Sequence, residues 1–76
     1  MAGRTRKSAT VRDIVIRERG SVVLLEPITA RAHAWLVNYA HKEAQWYGEA
    51  LAVEPRYVGP ITDAAQCDGL VVVRHD

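Results

Sequence analysis

Three histidines, one cysteine and nine acidic side chains are the groups with which this 76-residue chain could do chemistry. His33 and His41 fall on one predicted helix, eight residues apart, which is about 12 Å at about 1.5 Å rise per residue. That is too far to share a metal ion, for which i and i+4 would serve. No third ligand type sits near them in sequence, so they read as solvated or partly packed histidines. Cys67 could act as a nucleophile with His75 or His41 as its base, given a third group to orient the pair. Its place near a predicted helix C-terminus opposes this, because the negative end of the helix dipole raises a thiol pKa. A small buried or half-buried thiol is expected instead. The carboxylates are scattered, with no two spaced as a tuned acid/base pair. Gly3, Gly20, Gly48, Gly59 and Gly69 are isolated, and none builds a phosphate-cradling loop. No catalytic residue, cofactor or metal ligand is therefore expected, and the chain does not read as an enzyme.

Binding is the remaining class. The net charge of +1 hides an asymmetry. In residues 1–19, Arg4, Arg6, Lys7, Arg12, Arg17 and Arg19 face only Asp13 and Glu18, a charge of +4; residues 20–76 carry four bases against seven acids, a charge of −3. Residues 1–9 are expected to form a flexible basic arm on a mildly acidic body. The candidate partner-binding residues are Arg12, Arg17 and Arg19 on the basic segment, and Glu43, Trp46, Tyr47, Glu49 and Glu54 in and after the connector that follows the first helix. Tyrosine and tryptophan in such connectors often form binding hot spots. The competing expectation, favoured for a chain with so little other bulk, is that Trp46 and Tyr47 fold back to close the core. The arm could contact nucleic acid by releasing counterions; the near-neutral total and the lack of aromatics within it favour a solvated arm.

The elements that must position these residues are legible in the hydrophobic period. Val22 to Leu25 is an unbroken apolar run, after which Ala32, Trp35, Leu36, Tyr39 and Ala40 recur at helical spacing. A strand thus feeds a helix across Glu26-Pro27-Ile28-Thr29, with Thr29 as N-cap. Upstream, the β-branched stretch predicts strands over 10–18 and 21–26, joined as a hairpin by a turn at Glu18-Arg19-Gly20. The helix is expected over 30–42, a strand over 49–54, and a second helix after Pro55 that either kinks at Gly59-Pro60 or starts only at Pro60. Asp68-Gly69 caps it, and 70–74 is a final strand. The result is an α+β fold in one small domain, residues 10–76, ordered β-β-α-β-α-β. A four-stranded mixed sheet would carry both helices packed on one face, with strands flanking a helix parallel where adjacent. One cysteine permits no intrachain disulfide, and no apolar run approaches the about 20 residues of a membrane span. No apolar h-region follows the basic N-terminus, so a secretory signal is not expected, and a cytoplasmic location is.

Gly20 through Thr29, then Ala32 and Trp35, Gln45-Trp46-Tyr47-Gly48, Val53 through Val58 and Asp68-Gly69-Leu70 resemble a group of small α/β proteins encoded by bacteria, their phages and prophages. The resemblance covers residues 11–74, and the group offers no catalytic residues to carry over. It implies a context: small inhibitors from mobile elements, of the kind that includes anti-CRISPR proteins, which bind and block a host component. The expected partner is a host protein or ribonucleoprotein, such as a CRISPR effector complex. A nucleic-acid-binding accessory or regulatory protein using the basic arm and hairpin is the alternative.

Overall fold

In the computed structural model, which describes residues 12–40 and 44–75, the β-branched run forms strand β1, Ile14–Arg19, and turns back onto β2, Val22–Pro27. Gly20 takes a φ of +66° while Ser21 does not, the type II′ pattern whose twist matches that of the flanking strands. Helix α1, Ala30–Tyr39, starts where expected, with Thr29 Oγ1 accepting from the Ala32 N–H. It ends earlier than the expected Lys42, because Ala40 is already extended; Glu43 and residues 1–9 lie outside the described residues.

The connector after α1 is itself structured. Gln45–Tyr47 forms strand β3 and pairs antiparallel with β4, Ala50–Val53. The expected four-stranded sheet therefore has five strands. The reason lies in Tyr47-Gly48-Glu49-Ala50, where Gly48 has a φ of +63° and Glu49 does not, a second hairpin of the Gly-X type. A 3-10 turn, Pro55–Tyr57, leads into α2, Val58–Cys67. The helix does not wait for Pro60 but runs continuously from Val58 through Gly59-Pro60 to Cys67. Pro60 is the third residue of α2, where backbone amides have no partner within the helix and a missing N–H costs little. At the other end, Gly69 takes a φ of +88°, and the amides of Gly69 and Leu70 bond the Gln66 and Ala65 carbonyls, a Schellman cap.

Strand β5, Val72–Arg74, closes the sheet in the order β3-β4-β2-β1-β5. It runs parallel to β1, and every other neighbouring pair is antiparallel. Neither helix joins adjacent strands: β4 lies between β2 and β3, and β2 and β1 lie between β4 and β5. Register sorts the side chains. Ile14, Ile16, Val23, Leu25 and Leu51 share one face and form one buried cluster with Ala32 and Leu36 of α1, Val58, Ile61 and Ala65 of α2, and Leu70. Both helices thus pack on that face, as expected.

The residue that ties these elements together was expected to be an ordinary strand position. Strand β1 begins at Ile14 rather than residue 10, and Asp13 occupies a bend with its side chain fully buried. Its Oδ1 accepts from Thr29 Oγ1 at 2.6 Å and Arg31 Nε at 3.1 Å. Its Oδ2 accepts from Arg31 Nη2 at 2.9 Å and from the Val71 N–H at 2.8 Å. Backbone bonds add to this: the Asp13 N–H donates to the Val71 carbonyl and the Asp13 carbonyl accepts from Ile28. The hydrogen bonds from Arg31, then those from Thr29 and Val71, hold the Asp13 carboxyl well below the usual carboxylate range against the opposing effect of burial.

A carboxyl lowered in the folded state contributes stability that is in place above its unfolded value of 3.8 and is lost as pH falls toward the folded value. Asp13→Ala leaves the Thr29 hydroxyl and Val71 amide without their acceptor, at about 1–3 kcal/mol for each buried group. Urea unfolding at pH 7 should show a loss of about 3 kcal/mol. Between pH 4 and 2 the parent should lose stability more steeply than Asp13→Asn; equal slopes would remove the assigned role.

Candidate partner-binding surfaces

The strand register divides the candidate residues between two sides of the sheet. Arg17 pairs with Leu24, Arg19 with Val22 and Tyr47 with Ala50, which places all three on the face without helices. Val15, Glu26, Ala52 and Val73 belong to the same face. Trp46 pairs with Leu51 and lies on the other side, half-buried against the core. The closing role expected for both aromatics therefore holds for Trp46 alone; Tyr47 is 59% exposed. One residue separates them, and alternate residues of a strand face opposite ways.

The remaining candidates are dispersed. Arg12 is exposed just before β1, Glu49 is in the β3–β4 turn, and Glu54 precedes the 3-10 turn. Glu54 pairs with Arg56, whose guanidinium lies 5.0 Å from the centre of the Tyr57 ring. Arg17 pairs with Glu26 and Arg74 with Glu18. These are exposed or half-exposed pairs, of the kind worth about 0–1 kcal/mol each.

On the helix side, the sheet is wider than the two helices that cover it. An open groove of about 750 Å³ runs between the end of α1, the 3-10 turn and start of α2, and the β3–β4 hairpin. Tyr39 and Tyr57 belong to its lining together with Ala40, Leu51, Val53 and Ile61; Gln45 and Glu54 add polar atoms. Both tyrosines are nearly half exposed, and Tyr39 is stacked on Trp35 with ring centres 4.8 Å apart. Trp35, expected in the core, packs against its margin, where its Nε1–H donates to Asp68 Oδ2 at 2.6 Å. The sequence marks Tyr39 as a member of an apolar helical stripe, and Tyr57 falls in the second helix that it predicts after Pro55. Each instead comes at a helix end, where the stripe runs past the sheet face that it covers.

Among the described residues, no group of three or more His, Cys, Asp or Glu side chains is placed to hold a metal ion, and no helix is long and apolar enough to cross a membrane. Cys67 ends α2 as expected, but its side chain is exposed rather than buried or half-buried. Ala65, two positions earlier, takes the core-facing position. No protein-family model, curated protein or solved structure matches the chain.

The exposure of Cys67 has a direct readout. A thiol reagent added to the native protein should modify Cys67 completely, at a rate within about tenfold of that in denaturant, since access and thiolate fraction set the rate. Protection by more than a hundredfold would place the side chain inside the fold.

Proposed function

We propose that this chain is a non-enzymatic binding protein of phage or prophage type that blocks a host defence component, an anti-CRISPR protein acting on a CRISPR-Cas effector complex. The observation that carries the binding reading is the groove. It is open along its length, and its floor is aliphatic with tyrosines at the helix ends. Tyrosine at the margin of a desolvated pocket is the composition of an interface hot spot, since it contributes large contact area with few rotors to immobilise. A partner side chain seated on Leu51, Val53 and Ile61 would bury apolar surface at about 25 cal/mol per Å², with the tyrosine hydroxyls and Glu54 available to polar atoms at the edge.

The resemblance to small phage and prophage proteins supports the inhibitor context. The ion pairs favour a protein surface over nucleic acid as the contact. Of the six arginines among the described residues, Arg17, Arg31, Arg56 and Arg74 are each held against a carboxylate, so the body presents little unpaired positive charge to phosphates.

Purified protein mixed with a panel of purified CRISPR effector complexes should co-elute with at least one of them and suppress its cleavage of target nucleic acid. Tyr39→Ala and Tyr57→Ala should each weaken that association by about tenfold or more, the scale of a hot-spot truncation, with far-UV circular dichroism unchanged. Free passage past every complex with cleavage intact would sink the inhibitor reading. Binding that resists both substitutions but collapses with salt and with deletion of residues 1–9 would favour nucleic-acid contact through the basic arm.

A further inference from the structure

The sheet face opposite the two helices holds two side chains whose burial the described residues leave unaccounted for. Val15 of β1 is 4% exposed and Ala50 of β4 is 7% exposed. By register both point away from Ile14, Ile16 and Leu51, and neither belongs to the cluster that those residues form with the helices. Val15 pairs with Glu26, and Ala50 comes one step beyond the Leu25–Leu51 pair, so the two lie in one row across β1, β2 and β4. Leu24, Ala52 and Val73 beside that row are half-buried. An outer sheet face with nothing packed on it is open to water. This one is closed along a single row and opens away from it. On β1 the side chains pass from buried Val15 to half-buried Arg17 and exposed Arg19, and on β4 from buried Ala50 to half-buried Ala52. At the other end Ile28 and Val71 stay exposed, so the cover lies over the ladder and not past its end.

We propose that residues 1–11 of this chain pack across that row. The described chain begins at Arg12, three residues before Val15, so the segment starts beside the β1 end of the row. Eleven residues extend to about 36 Å, and five strands side by side span about 19 Å, so the segment can cross β2 and reach Ala50. The other residues outside the described ones are placed wrongly for this. Residues 41–43 join Ala40 to Ala44, which both line the groove beside the helices, and Asp76 follows β5 at the sheet edge.

The composition of the segment suits a thin cover rather than a second core. Met1, Ala2, Ala9 and Val11 supply small apolar contacts, and the stems of Arg4, Arg6 and Lys7 can lie along apolar surface with their charged ends in water. The stretch that the sequence marks as a free basic arm is then part of the fold, with its charges spread over the face instead of projecting from it. This assignment is independent of the groove, which is bounded by the helices.

Nuclear magnetic resonance of the full-length protein tests it. Overhauser effects should connect the methyl groups of Val15 and Ala50 to residues of the 1–11 segment, with the same relative strength at high and low protein concentration. Backbone order parameters over residues 8–11 should approach the about 0.85 of a rigid strand. Val11→Asp sets a charge against the apolar row and should release the segment: its contacts to Val15 and Ala50 vanish and its order parameters fall below about 0.6, while the cross-strand contacts of the sheet persist. Order parameters below about 0.6 throughout residues 1–11 of the parent overturn the proposal. So do Val15 and Ala50 methyl groups that contact no residue of the segment. Contacts from those methyl groups only to a second copy, seen between labelled and unlabelled protein in a mixed sample, overturn it as well and give the face to that copy.

Discussion

The buried carboxylate of Asp13 is the interaction on which the arrangement of this fold depends. A charge out of water is tolerated only when paired and hydrogen-bonded, and Asp13 meets that condition by drawing together the residues entering α1 and the segment entering β5. Arg31 completes the junction by donating from Nη2 to the Gly69 carbonyl as well, so the end of α2 is fastened to the start of α1. The parallel pairing of β5 with β1 begins at this point, where the Val71 carbonyl accepts from both Asp13 and Ile14. Three distant parts of the chain converge on one side chain, and no buried polar side-chain atom among the described residues is left without a partner.

The second constraint is the turn chemistry. Two hairpins, each closed by two residues of which the first is a glycine at positive φ, supply four of the five strands. A side chain at either glycine would meet no steric obstacle from the rest of the fold; the requirement is conformational, because the left-handed region costs about 1–2 kcal/mol for other residues. The second hairpin widens the sheet beyond what two ten-residue helices can cover. The uncovered margin is the groove, so the feature favoured here for recognition is a direct product of an extra strand.

The polarity of the two sheet faces follows from the same geometry. Helix packing consumes the aliphatic residues of one face, while the other mixes aliphatic side chains with Arg17, Glu26, Arg19 and Tyr47. Candidate residues that stand next to each other in sequence, such as Trp46 and Tyr47, are separated by the full thickness of the sheet. Residues far apart in sequence, such as Tyr39 and Tyr57, line one groove.

By itself the sequence determined the local elements. The β-branched run of β1, the Thr29 cap, the stripe at Ala32 and Leu36 and the Asp68-Gly69 stop are dictated by interactions within a few residues, and each is present, with β1 starting at Ile14 rather than residue 10. The β3–β4 hairpin went unread, because Gln45–Tyr47 is only three residues long and reads as a connector, although Gly48-Glu49 carries the same Gly-X pattern that closes the first hairpin. Only the tertiary structure decided strand order, the burial of Asp13 and the groove. Strand order depends on which edges meet, and a carboxylate in an alternating run carries no mark of the arginine, hydroxyl and amide that will surround it. Those partners lie 16 to 58 residues away in sequence, beyond the reach of any local pattern, and they become neighbours only when the apolar faces of helices and sheet close on one another.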